Sequence, residues 1–98
     1  MKNPIGNLQK VFDSRIRLGI MSALMVNETV DFNTLKELLE LTDGNLASHL
    51  KALEQQEIIV VSKQFIGRKP STTYQATKLG KDLFRQHLNA LEELINKQ

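Results

Sequence analysis

The apolar positions change period along the chain. Ile5, Leu8 and Phe12 recur at helical spacing behind Asn3, a capping residue, and Pro4, which suits the first position of a helix. They predict a short first helix. Ile16, Ile20 and Leu24 form a second helical stripe to about Val26. Asp13 or Ser14 would start it, and Asn27-Glu28-Thr29 would end it. Val30-Asp31-Phe32 is long enough only for a stub strand. Asn33 is the expected cap of the next helix, with Leu35, Leu38 and Leu39 turned inward. Leu41-Thr42-Asp43-Gly44 interrupts that pattern. Thr42 is the expected N-cap of a following helix, and Leu41 and Leu46 stand where a hydrophobic staple needs them. Leu46, Leu50 and Leu53 then recur at i, i+4 and i+7 as its buried stripe.

At Ile58-Ile59-Val60-Val61 the helical period ends. This β-branched run predicts a strand that continues through Phe65 and Ile66. Gly67-Arg68-Lys69-Pro70 supplies turn chemistry. Ser71 to Ala76 reads as the returning strand of a hairpin, and Thr77 as the cap of a last helix to about Asn96. The expected order is helix, helix, stub strand, helix, helix, hairpin, helix. The fold class is therefore α+β, mainly α. A single domain over 1–98 is expected, with paired helices over about 33–56, a hairpin over 58–76 and a last helix over 78–96.

Composition narrows the function. The 98 residues are 41% hydrophobic and include no cysteine, which excludes disulfides, thiol catalysis and cysteine-ligated metals. No apolar run approaches the roughly 18 residues that span a bilayer, so no membrane partner is expected. Met1-Lys2-Asn3-Pro4 lacks the apolar segment of a secretory signal, which makes the cytoplasm the expected compartment. Net charge is only +2, but it is unevenly placed. Residues 28–57 carry two basic and seven acidic side chains, whereas residues 58–85 carry six basic and one acidic. The latter excess could serve a polyanion. No Gly-rich phosphate loop appears. His49 and His87 have no neighbouring acidic ligand cluster, so neither a metal nor another cofactor is expected. Acidic residues 37, 40 and 43 suit helix-surface and first-turn charges better than a catalytic pair. No enzyme is expected.

Two helices joined by a tight turn, followed by a basic-tipped hairpin, form a winged helix-turn-helix layout, in which the second helix enters the major groove of DNA. At 100° per residue from Leu46, the outward arc of that helix holds Gly44, Asn45, Ser48, Lys51, Ala52 and Gln55, with His49 and Gln56 on its flank. These are small or polar. Asn and Gln can pair bidentately with adenine, Ser can donate or accept, and Lys suits guanine or phosphate. The candidate readers are thus Thr42, Gly44, Asn45, Ser48, His49, Lys51, Ala52 and Gln55. His49 has two open roles, donor to DNA or half-buried flank residue. Asp43 complements the helix dipole and is read as structural. In the wing, Lys63, Arg68 and Lys69 are the expected contacts to the minor groove or its phosphates. They should supply affinity more than specificity. Arg15 and Lys78 are further, weaker candidates for backbone contact.

Leu41-Thr42-Asp43-Gly44-Asn45-Leu46-Ala47-Ser48-His49-Leu50-Lys51-Ala52-Leu53-Glu54, with Phe65-Ile66-Gly67-Arg68-Lys69-Pro70-Ser71-Thr72-Thr73-Tyr74-Gln75-Ala76-Thr77, resembles the winged-helix regulators related to the MarR and ArsR families. The resemblance spans roughly residues 8–95. It implies a bacterial or archaeal transcription factor that binds double-stranded DNA as a homodimer. It departs at Glu57, where such proteins usually place Gly after the recognition helix, leaving the end of that helix open. The last helix has an apolar arc of about 180°, wider than one core stripe needs. Leu83, Phe84, Leu88, Leu91, Leu94 and Ile95 are therefore expected in a dimer interface, joined by the N-terminal helix. His87 is expected to pack on the same helix. A small-molecule effector could bind between the dimer helices and the winged core, although no residue points to one. The alternative is a winged-helix protein-interaction module, favoured by the acidic stretch before the recognition helix.

Overall fold

The chain builds its fold from helix ends as much as from helix faces. In a computed structural model, residues 3–96 are described; the outermost residues of the expected domain, 1–2 and 97–98, lie outside them. Two 3₁₀ turns, Pro4–Asn7 and Lys10–Phe12, lead into α1 (Arg15–Val26). A two-residue strand, β1 (Val30–Asp31), precedes α2 (Phe32–Leu39) and α3 (Asp43–Gln55). The hairpin is β2 (Ile59–Ile66) with β3 (Lys69–Ala76), and α4 (Lys78–Asn96) follows. The three strands form one antiparallel sheet in the order β1-β3-β2, with Val30 opposite Tyr74 and Ile59 opposite Ala76.

Several starts are where the sequence puts them. Asn3 Oδ1 accepts from the Ile5 N–H at 3.0 Å, Ser14 Oγ from Arg17 N–H at 3.3 Å, and Thr42 Oγ1 from Asn45 N–H at 3.2 Å. Thr77 Oγ1 accepts from Gly80 N–H at 2.9 Å. Other expectations need correction. The first helix is a pair of 3₁₀ turns rather than an α-helix. Asp31, not Asn33, caps α2. Its carboxylate leaves the end of β1 and reaches Thr34 N–H at 2.7 Å, so the helix starts at Phe32. Leu38 does not face inward and is 62% exposed. On an eight-residue helix, Leu35 and Leu39 occupy the inner face at i and i+4, and Leu38 falls outside it. The hairpin turn is tighter than expected. Ile66 pairs with Lys69, so only Gly67 and Arg68 turn, while Lys69 and Pro70 belong to β3. Gly67 has φ 67° and Arg68 is not in the left-handed region, the pattern of a type II′ turn.

The end of α3 resolves the departure at Glu57. Ile58 N–H bonds to Leu53 C=O at 3.0 Å and Glu57 N–H to Glu54 C=O at 2.9 Å. This is a Schellman motif with Glu57 in the left-handed region at φ 60°. The helix ends where a glycine would end it, and the glutamate bears the strain. Glu40 does the same for α2 at φ 53°, with Leu41 N–H bonded to Lys36 C=O. Ile58, turned inward by the motif, is fully packed. Its carbonyl accepts from Thr77 N–H at 3.0 Å, and the Thr77 hydroxyl lies within bonding distance of the Glu57 and Ile58 carbonyls. A Cβ on Gly80 would collide with that same Ile58 carbonyl oxygen, so α4 can pass this closely only at a glycine.

The core gathers Phe12, Ile20, Met21, Leu24, Leu35, Leu46, Leu50, Leu53, Ile58, Ile59 and Phe84. Phe84 is therefore corrected from the dimer face to the monomer core, where it meets Phe12 edge-on at 5.2 Å. His87, 6% exposed, also stacks edge-on against Phe12 and accepts the Gln9 N–H at Nδ1, 2.9 Å away. This is the packing role expected of it. The N-terminal turns are pinned to α4 through these contacts.

Two outcomes follow for stability. Glu57→Gly removes a left-handed cost of about 1–2 kcal/mol and gives back part of it as unfolded-chain entropy. The variant is expected to be more stable by roughly 0.5–1 kcal/mol, read as a higher urea midpoint at unchanged slope. His87 has a pKa lowered by burial, partly opposed by the Asp13 carboxylate. The folded state thus holds it neutral, while the unfolded chain protonates below the ordinary value of 6.5. Stability is fully present above that pH and is lost as pH falls below it. Thermal melts at pH 7.5 and 5.5 should show the drop, and His87→Gln, which can still accept the Gln9 N–H, should lessen it.

Candidate nucleic-acid interface

α3 presents two unlike sides. Leu46, Leu50 and Leu53 enter the core, and Leu41 packs beside it, as a staple requires. Gly44, Asn45, Ser48, Lys51 and Gln55 are exposed. Ala52 is half-buried, less open than its place on the outward arc suggests. Thr42 is exposed, but its hydroxyl is engaged in the cap. Asp43 Oδ1 lies 2.7 Å from Lys36 Nζ, an ion pair that ties α3 to α2. The acid at the start of this helix is thus locally neutralised, as its structural reading requires.

His49 sits on the flank and is half-buried. Arg17 of α1 donates from Nε to His49 Nδ1 at 3.0 Å and from Nη1 to Val11 C=O at 3.2 Å. Burial and then the Arg17 charge hold His49 below its usual pKa. An Nδ1 that accepts carries no proton, so the neutral ring has its N–H at Nε2. Sequence reasoning missed Arg17, because nothing in its spacing marks it as a partner of α3.

Between α3 and the hairpin runs a groove of about 270 Å³, lined by Ala47, Leu50, Lys51, Glu54, Val61, Lys63 and Tyr74. It joins Lys51 of the helix to Lys63 of the wing. Ala47 and Tyr74 were not anticipated: Ala47 carries no polar signal, and Tyr74 faces this groove only through its register opposite Val61. Burial, with a contribution from Glu54, lifts the Tyr74 phenol above its ordinary pKa. Arg68 and Lys69 are exposed at the hairpin tip, beyond this groove. Lys78 is paired with Asp82 at 3.1 Å. Arg15 lines a separate cleft of about 660 Å³, between the N-terminal turns and α4, which includes Ile5, Leu8, Phe12, His87 and Leu91. None of that cleft's lining residues belongs to α3 or the hairpin.

On α4, Leu88 and Ile95 are exposed, and Leu83, Leu91 and Leu94 are half-buried. Among the described residues, no group of His, Asp or Glu side chains could hold a metal, and no helix is long and apolar enough to cross a membrane.

This architecture has known counterparts. A transcriptional regulator homologue from Pyrococcus horikoshii superposes with a TM-score of 0.88 at 28% identity, covering 98% of this chain and 97% of that one. Diamide-treated YodB of Bacillus subtilis superposes at 0.78 with 22% identity, over 88% of this chain and 84% of its own, and attests the fold alone. An uncharacterised protein of Methanocaldococcus jannaschii is 36% identical over 85 residues, 87% of this chain and 92% of that protein. Residues 16–95 match the winged helix DNA-binding domain family. The MarR-like resemblance is thus supported, and the protein is a DNA-binding regulator by fold and family rather than an enzyme. The chain belongs to the winged helix DNA-binding domain family.

Proposed function

We propose that the protein is a sequence-specific, double-stranded DNA-binding transcriptional regulator that works as a homodimer, with α3 in the major groove and the wing against the minor groove. The observation that carries this reading is the outward face of α3. Among the described residues, no hydrogen bond or ion pair holds the side chains of Asn45, Ser48, Lys51 or Gln55. A methyl on Gly44 would meet nothing within 4 Å. Packing within the subunit therefore does not require a glycine there. A close-approaching base edge is a reason to keep it small. Asn45, Ser48, Lys51 and Gln55 then serve as base readers, with Ala52 at the margin. His49 offers Nε2–H as a donor, and Thr42 positions the helix start. Lys63, Arg68 and Lys69 hold phosphates.

The dimer rests on α4. Leu88 and Ile95 are exposed on one stripe with Leu91, after Phe84 has been taken by the core. Leu83 and Leu94 flank them. The exposed Ile5 of the N-terminal turn, which packs on α4, extends the apolar surface. A two-fold pair built here would set two copies of α3 about 34 Å apart along the duplex.

Selection of duplexes from a random pool tests the reading. A dimer with about 6–10 phosphate contacts should lose roughly 10³–10⁵ in affinity between 50 and 200 mM salt. Arg68→Ala should weaken binding to most sequences alike, whereas Asn45→Ala or Ser48→Ala should change the preference among sites. No salt-sensitive binding to any duplex would overturn the proposal in favour of a protein-interaction module. The dimer is tested separately. Wild type should run at twice the 11.1 kDa chain mass, and a Leu88→Glu, Ile95→Glu double variant at that mass itself.

A further inference from the structure

The wing carries two large apolar side chains that the fold does not bury: Phe65 is 74% exposed and Ile66 67%. Cross-strand register distinguishes them. Val61 faces Tyr74, Lys63 faces Thr72 and Phe65 faces Pro70, so these pairs share one side of the hairpin, and Ile66 lies on the other. The shared side is the one turned to α3, because Val61, Lys63 and Tyr74 line the groove with Ala47 and Lys51. Phe65 and Pro70 continue that side outward to the tip. They stand about 20 Å from the base of the strand at Ile59, at about 3.3 Å per residue. β1 supports the hairpin only at Thr73 and Tyr74, so Phe65 projects on a two-stranded arm.

The surroundings of Phe65 select its partner. Lys63 precedes it on the same face, and Arg68 and Lys69 follow at the tip. The core of a protein–protein interface admits Phe and Arg but is depleted of lysine, so Lys63 and Lys69 are what set this surface apart from one. An apolar side chain among cations instead suits the minor groove, where Phe and Pro are recurrent apolar insertions and the charge answers the phosphates. We propose that Phe65, backed by Pro70, is an apolar wedge that the wing lays against the deoxyribose edges of the DNA minor groove, while Arg68 supplies the neighbouring charge. This rests on the DNA reading above and assigns the wing a contact beyond its cations. Sugar edges occur in every sequence, so the wedge adds affinity without reading bases.

The test compares wild type, Phe65→Ala, Phe65→Leu and Arg68→Ala on one selected duplex across a salt series, with hydroxyl-radical cleavage at saturating protein. Phe65→Ala should bind about tenfold more weakly at every salt concentration, with the slope of log affinity against log salt unchanged. Phe65→Leu should keep most of the affinity. Arg68→Ala, which removes one phosphate contact from each subunit of the dimer, should lower the slope by about 2. Wild type should protect a short run of sugars beside each half-site from the radical, and Phe65→Ala should expose them. Because Phe65 is exposed, its variants should melt with wild type. Phe65→Ala binding as tightly as wild type, or losing affinity only through a changed salt slope, overturns the wedge and leaves the DNA reading standing. Failure of wild type to bind any duplex overturns both.

Discussion

The arrangement of this protein depends on one carbonyl group, that of Ile58. It sits just past the Schellman turn that ends α3. It accepts the Thr77 N–H, lies within reach of the Thr77 hydroxyl, and lies where Gly80 lets α4 pass. One residue later the hairpin begins, with Ile59 opposite Ala76. The end of α3, the base of the wing and the start of α4 therefore meet at a single point. Their relative placement is fixed by hydrogen bonds and steric exclusion rather than by a loop. The strain at Glu57 is borne within this clamp, since a different ending for α3 would turn Ile58 out of the core.

The second constraint is at the other end. Phe12 meets both Phe84 and His87, and the Gln9 N–H is satisfied by the imidazole. A segment made only of two 3₁₀ turns is thereby attached to α4. Arg17 bonds to the carbonyl of Val11, one residue before Phe12, and to His49 on α3. The N-terminal turns thus reach both α4 and the flank of α3 through named hydrogen bonds.

Much of this was legible in the sequence, for physical reasons. Thr42 and Thr77 are caps whose chemistry is local, and Leu46, Leu50 and Leu53 announce a buried stripe by spacing alone. The hairpin followed from a change of period between turn residues. What escaped depends on tertiary geometry. Asp31 won the cap of α2 from Asn33 because the end of β1 aims its carboxylate at Thr34. Phe84 looked available on α4 because the partner that buries it, Phe12, lies 72 residues earlier in the chain. The Arg17–His49 bond and the Tyr74 groove are likewise long-range. The two-residue turn at Gly67-Arg68 was blurred by Pro70, which reads as turn chemistry but is accommodated in β3 opposite Phe65.

The two sides of α3 also bear on how the chain can change. Its inner side and the clamp at its end admit few alternatives: Gly80 tolerates no side chain, and Leu46, Leu50 and Leu53 are closely packed. Its outer side is free of such duties, and substitutions on a surface of that kind usually alter stability by no more than about 0.5 kcal/mol. The sequence is thus partitioned into positions that hold the helix in place and positions open to drift. The outer side can therefore change one substitution at a time, without a stabilising change elsewhere to rescue the fold.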